Sequence, residues 1–170
     1  GIFGISTALE LRKTGHSVCV LNPTLAPDPL AAGTDISKVI RMEYGSDEEY
    51  LEMTRESMKT WREWNELFGE TFFHEGFYLL LSAKALDAEE DTYEKLSYQN
   101  VIKRGIPIEK IGYEEFKSRF PAYNPKAFVE GAFNKQGGYV ESGRIVHRLN
   151  LYAHEIGIEV IAEAVENIII

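Results

Sequence analysis

Gly1 and Gly4 stand at the head of a stretch, Ser6 to Thr14, that reads as a helix, and an apolar run, Val18 to Leu21, follows it. Glycines in that spacing let backbone N–H groups at a helix start approach an anion, which the helix dipole favours. The order of glycine turn, helix and strand matches the back half of a dinucleotide-binding βαβ unit. Gly1 and Gly4 take the places of the second and third glycines of G-x-G-x-x-G. The first strand and first glycine are missing, so the chain is expected to be a fragment. The plain alternative is a helix that happens to start after a glycine turn. Lys38 and Arg41 are the second feature with chemical capacity. A cation beside a redox cofactor stabilises negative charge that develops on it. On composition alone both are solvated loop charges or partners of Glu43 or Glu48.

The second strand of a dinucleotide fold usually ends in Asp or Glu, which binds the ribose hydroxyls. Asn22 stands there. Its amide accepts one hydrogen bond but lacks the charge, which costs about 1–2 kcal/mol of cofactor affinity. It also repels a 2′-phosphate less, so an NADP-type cofactor stays open at this position. His16, His74, His147 and His154 show no metal-ligand spacing, and no metal site is expected. Glu63 with Glu66 and Glu114 with Glu115 read as surface charges. No G-x-S-x-G elbow is present.

The net charge of −9 argues against nucleic acid and anionic membrane partners. No run of about 18 apolar residues suggests a membrane span. The single cysteine, Cys19, lies in an apolar pattern and is expected to be a buried free thiol. At 170 residues, 44% of them hydrophobic, the chain is one domain or part of a larger one.

Residues 23–37, with three prolines and Gly33, read as a loop that Lys38 to Tyr44 continues into a short helix or turn. Residues 47–66 read as a helix capped by Asp47, with Leu51, Thr54, Met58, Trp61 and Trp64 on one face. Strands are expected at 72–73, 76–82, 109–111, 127–134, 159–162 and 165–170, helices at 86–104, 113–120 and 142–156, and a turn at 135–138. Tyr44, Phe72, Phe73, Phe77, Tyr78 and Tyr139 are core residues by default, with the lining of an apolar pocket as the alternative.

The run Ala32-Gly33-Thr34-Asp35-Ile36-Ser37-Lys38-Val39-Ile40-Arg41 resembles the fructosyl amino acid oxidases (amadoriases), within the sarcosine oxidase-like flavoprotein family. The helix carrying Trp61 and the segment Gly137-Gly138-Tyr139-Val140-Glu141-Ser142-Gly143-Arg144 are similar to that family too. The resemblance implies an α/β fold: an FAD/NAD(P)-binding Rossmann-like domain with an inserted mixed or antiparallel-sheet substrate domain, truncated at both ends. Residues 1–71 and 138–170 would form the FAD-binding domain, lacking its first strand, and 72–137 would begin the substrate domain. Gly1 and Gly4 would meet the pyrophosphate. Ala32, Gly33 and Ser37 would contact the flavin end of FAD, and Val165 would offer its backbone to the adenine. Lys38 looks like the basic residue on one flavin face, where sarcosine oxidases tend to carry Arg. Arg41 is similar to a basic residue near the substrate carboxylate or its supporting network.

The resemblance implies an FAD-dependent amine oxidase. It would act on a secondary amine or N-substituted amino acid, such as a fructosyl amino acid or a sarcosine- or pipecolate-like compound, and yield an imine and hydrogen peroxide with O2 as acceptor. A flavin dehydrogenase or NADP-linked reductase of the same fold is the first alternative, and an inactive truncated binding protein the second. The expected setting is a cytoplasmic or peroxisomal monomer with a small-molecule amine as partner. The chain alone is expected to be inactive and to bind FAD weakly or not at all.

Overall fold

The computed structural model describes residues 1–24 and 27–169, with Pro125 by its backbone alone. Its elements run α1 (Ile2–Lys13), β1 (Cys19–Leu21), β2 (Lys38–Ile40), α2 (Glu48–Phe68), β3 (Phe73–Glu75), β4 (Tyr78–Ser82), α3 (Tyr93–Lys103), β5 (Ile108–Gly112), α4 (Tyr113–Arg119), β6 (Glu130–Asn134), β7 (Gly138–Val140), α5 (Ser142–Glu155) and β8 (Glu159–Ile161), with a 3-10 turn at Pro125–Ala127. Among the described residues no helix is long and apolar enough to cross a membrane. Two compact units emerge, 1–38 with 140–170, and 39–139. Residues 39–71, α2 among them, therefore group with 72–139.

In the first unit β1 and β8 pair in parallel, Cys19 opposite Glu159 and Leu21 opposite Ile161. Helix α1 buries Ile5, Ala8 and Leu9, and α5 buries Ile145, Val146, Leu149 and Ala153. Both sets recur at helical spacing and form one stripe per helix, and the two helices pack together. Burying each Leu or Ile is worth about 1.5–3 kcal/mol. Helix α1 starts four residues earlier than the sequence predicts. The reason is that Ser6 and Thr7 do not cap: their hydroxyls donate back to the carbonyls of Ile2 and Phe3, both at 2.8 Å. Cys19 is exposed, not buried. It alternates with Val20 and shares its side of the strand with exposed Leu21. The strand expected at 165–170 is absent over 165–169, where no partner strand pairs with the segment. Ile170 lies outside the described residues.

The second unit is built on α2. Asp47 caps it through Oδ1, which accepts from the Tyr50 N–H at 3.0 Å, and Glu48 and Glu49 sit in its first turn. Leu51 and Met58 join Met42, Phe73, Val101 and Ile106 in a core that Trp61 partly covers. Strands β4, β6 and β5 form an antiparallel sheet with β6 central, Ala132 facing both Leu80 and Lys110. A second sheet has the order β2–β7–β3.

Three elements depart from the sequence reading here. Residues 38–40 are strand β2 where a short helix or turn is expected, because β7 pairs with them. Helix α3 begins at Tyr93, not at residue 86. The Thr92 hydroxyl caps it by accepting from the Lys95 N–H at 3.2 Å, and buried Leu86 is tied outside it, its N–H donating to Glu130 Oε2 at 3.0 Å. Residues 138–140 form strand β7, which the sequence does not predict; only Gly138 falls in the turn expected at 135–138. Gly138 allows this, since a Cβ there would collide with the carbonyl oxygen of His74 on β3.

Gly138→Ala is therefore expected to cost about 3 kcal/mol, read as a fall in Tm of roughly 5–10 °C. Gly112→Ala, whose Cβ would meet nothing, serves as control and stays within about 0.5 kcal/mol. Equal melting of the two variants would refute this account of the β3–β7 approach.

Candidate functional site

Segment 41–45, between β2 and α2, carries the densest polar arrangement in the second unit. Arg41 Nη1 donates to the Tyr93 hydroxyl at 2.8 Å, and that hydroxyl donates to the Glu43 carbonyl at 2.6 Å. The guanidinium lies 4.6 Å from the ring centre of Tyr44, 5.6 Å from that of Tyr78 and 5.9 Å from that of Tyr93, all within cation–π range. Tyr44 is braced by Tyr50, stacked at 5.6 Å. Among the described residues no carboxylate lies within ion-pair distance of Arg41. Burial is the largest single influence on Arg41 and opposes its charge, but the Tyr93 hydroxyl together with the electrostatic pull of Tyr78, Tyr93 and Tyr44 holds the guanidinium above its ordinary value. Burial likewise pushes the Tyr78 hydroxyl up, against the pull of Arg41. The arrangement presents a charged, half-buried guanidinium held by the Tyr93 hydroxyl and surrounded by three tyrosine rings. It suits a planar anion such as a carboxylate.

Glu43 is buried, with no exposure at all. Its Oε1 accepts from Asn134 Nδ2 at 2.6 Å and its Oε2 from the Met42 N–H at 3.0 Å. Burial pushes its carboxyl above the usual range, opposed chiefly by the Asn134 amide.

Every residue proposed for the cofactor lies in the first unit, and Arg41 lies in the second. Gly1 is the N-cap of α1, which has no side-chain cap and no acidic residue in its first turn, so its first N–H groups face no competing carboxylate. A Cβ at Gly1 or Gly4 would meet nothing within 4 Å. The close helix–strand approach expected to require Gly4 is thus not present among the described residues. Asn22 donates through Nδ2 to the Thr24 carbonyl, which turns its Oδ1 free as an acceptor. Ala32, Gly33 and Ser37 lie on one loop that leads into Lys38, the first residue of β2. The Asp35 carbonyl pins that loop to the start of α5, accepting from the Gly143 N–H at 3.0 Å and the Ser142 hydroxyl at 3.1 Å. Lys38 pairs with Asp35 at 2.6 Å, and this ammonium, with the Ile36 N–H, holds the Asp35 carboxyl below its usual range. Val165 sits in the irregular segment after β8, exposed. Glu48, weighed as a partner of Lys38 or Arg41, bonds Lys103 and Arg104 instead.

Phe72 and Phe73 are core, Phe77 packs on Phe133 and Phe120, and Tyr139 stacks on His74. Only Tyr44 and Tyr78 of the aromatic candidates reach Arg41. Tyr93, Ser97, Asn100 and Asn134 escaped the sequence reading, and Glu43 entered it only as a partner for Lys38 or Arg41. Tyr93, Ser97 and Asn100 fall at i, i+4 and i+7 on α3, a polar stripe that was the available signal. Glu43 and Asn134 are 91 residues apart, and no local pattern links them. Among the described residues no group of three His, Cys, Asp or Glu side chains forms a metal site.

The whole chain, residues 1–170, matches the FAD dependent oxidoreductase family, and it belongs to that family. FAD is the cofactor this membership implies. The chain is 28% identical over 166 residues to the L-saccharopine oxidase of Schizosaccharomyces pombe, covering 94% of this chain and 38% of that protein. The structure is similar to L-proline dehydrogenase from P. horikoshii, with a TM-score of 0.76 and 25% identity over 96% of this chain and 42% of that one. It is also similar to a thermally stable mutant of fructosyl peptide oxidase, with a TM-score of 0.72 and 25% identity over 94% and 38%. The chain thus spans about two fifths of the length of the proteins it matches. Gly1 at the start of α1 could meet a pyrophosphate, and Asn22 Oδ1, which accepts no bond among the described residues, could meet a ribose hydroxyl.

Glu43→Ala leaves the Asn134 amide and the Met42 N–H without an acceptor and is expected to cost about 3 kcal/mol. Folded Glu43 keeps its proton to a higher pH than the unfolded chain does. Its contribution is complete below the ordinary carboxylate range and is lost as pH rises through the raised value. The advantage of wild type over Glu43→Ala should therefore shrink as pH rises above the ordinary carboxylate range in urea unfolding. An advantage that grows with pH would show that Glu43 is held as a carboxylate.

Proposed function

We infer that this chain supplies the cofactor-facing and substrate-facing groups of an FAD-dependent oxidoreductase. Its substrate is a secondary amine or N-substituted amino acid bearing a carboxylate, and O2 is the acceptor. The carrying observation is Arg41, a guanidinium fixed among three tyrosines with no carboxylate of its own. Family membership along the whole chain and the likeness to L-saccharopine oxidase and fructosyl peptide oxidase support the amine class. FAD, when bound, supplies the acceptor for the hydride leaving the carbon next to nitrogen.

The remaining work falls to the chain's own groups. The α1 N-terminus with Gly1 and Gly4 would hold the pyrophosphate, Asn22 a ribose hydroxyl, and the Val165 backbone the adenine. Ala32, Gly33 and Ser37 would contact the flavin end. Arg41 would orient the substrate through its carboxylate, which turns a collision into a positioned encounter. Lys38 would place a positive charge where negative charge develops. Its pairing with Asp35 is no obstacle. Both side chains are about half exposed, and such a pair is worth only about 0–1 kcal/mol. The likeness to L-proline dehydrogenase favours one second reading, the same amine chemistry with an acceptor other than O2.

Lys38→Met in the flavin-loaded protein should slow flavin reduction or reoxidation by about 10²–10³, read by stopped-flow absorbance, while leaving folding intact. Lys38→Arg should be milder because the charge is kept. If Lys38→Met leaves both half-reactions within about twofold of wild type, Lys38 is a solvated loop residue. Reoxidation by O2 as slow as in free solution would favour the dehydrogenase reading.

A further inference from the structure

We propose that Tyr93 is a positioning residue for Arg41: its hydroxyl, anchored on the Glu43 carbonyl, holds the guanidinium in the orientation that receives a carboxylate. This rests on the reading of Arg41 as the partner of the substrate carboxylate, and it adds the residue that sets its geometry.

Arginine carries several rotatable bonds, and ordering them opposes ligand binding. A guanidinium already held in place binds more tightly for the same contacts. Tyr93 supplies that order in two steps. It accepts from Arg41 Nη1 at 2.8 Å and donates its own hydroxyl hydrogen bond to the Glu43 carbonyl at 2.6 Å. Each bond polarises the other, so the relay is stronger than either bond alone.

The anchor is itself rigid. Ser97 and Asn100 lie on the same stripe of α3 as Tyr93. The Ser97 hydroxyl accepts from the Gly45 N–H at 2.7 Å, and Asn100 Nδ2 donates to the Gly45 carbonyl at 3.2 Å. Both side chains are buried. The Tyr93 ring lies against Gly45, where a Cβ would come within 2.9 Å of it, and Gly45 holds a φ of 63° that favours glycine. Thus α3 grips the segment's backbone at two residues, Glu43 and Gly45, and only Tyr93 extends the grip to the Arg41 side chain. Tyr93 takes one N–H of Nη1, and a guanidinium carries five N–H donors in a planar fork that a carboxylate can bridge.

The test is Tyr93→Phe in the full chain, which keeps the ring on Gly45 and removes only the hydroxyl. Acetate is the probe, acetamide its uncharged control, and the Arg41 side-chain ¹⁵N–¹H resonances the readout. Wild type should bind acetate in preference to acetamide. Tyr93→Phe should weaken acetate binding about tenfold, the effect of losing one hydrogen bond to a charged group, and should speed rotation of the guanidinium. Asn100→Ala loosens the same segment without touching Arg41 and should shift affinity less than about twofold. Equal losses in both variants would mean that general loosening, not the hydroxyl, matters, and would overturn the proposal. So would unchanged affinity in Tyr93→Phe. If Arg41 in wild type does not respond to acetate, the carboxylate reading of Arg41 itself fails, an outcome distinct from a wild type that binds and a variant that binds equally well.

Discussion

Glu43 puts a carboxyl group where no solvent reaches, and much of the second unit follows from satisfying it. A buried carboxyl needs donors, and these come from Asn134 on β6 and from the adjacent Met42 N–H. The first ties the segment after β2 to the central strand of the antiparallel sheet. The backbone of the same segment is held from α3 by Tyr93, Ser97 and Asn100. Met42 meanwhile turns into the core with Leu51 and Phe73. Five consecutive residues are thus fixed from three directions, and Arg41 stands at their head. A cation on a freely moving loop would lose entropy with each ligand it met. Here the fold has already met that cost.

The proposed site residues divide between the two compact units. Residues suited to a dinucleotide, from Gly1 and Gly4 through Asn22 to the 32–38 loop and Val165, belong to the first unit. Arg41 and its tyrosines belong to the second. The boundary falls between Lys38 and Val39, inside β2. On the function proposed above, one short strand would carry the change from cofactor-side to substrate-side groups.

Much of the framework was legible along the chain because its causes are local. Asp47 announced α2, and the stripe of Leu51, Met58, Trp61 and Trp64 announced the face it buries. The ends of α3 and α5 fall within two residues of the predicted ones, just before Gly105 and Gly157, both with positive φ. Where the cause was distant, the reading failed. Residues 38–40 and 138–140 became strands only because they pair in one sheet, about a hundred positions apart. Helix α3 lost its expected first turns because Leu86 was drawn to Glu130. Cys19 was expected inside and lies outside, since an apolar alternation does not say which of its sides is covered.

The same boundary runs through the site. Residue types and spacing alone determined that a glycine turn leads a helix into a strand, that cations follow at 38 and 41, and that the chain resembles an amine-oxidising flavoprotein. These are properties of neighbours, and neighbours are written in order. That Arg41 sits among Tyr44, Tyr78 and Tyr93, that Lys38 rests on Asp35, and that Glu43 finds Asn134 was decided only by tertiary structure. Partners separated by up to 91 residues meet because buried polar groups must be satisfied and apolar faces covered at once, and no local pattern encodes which distant group will do it.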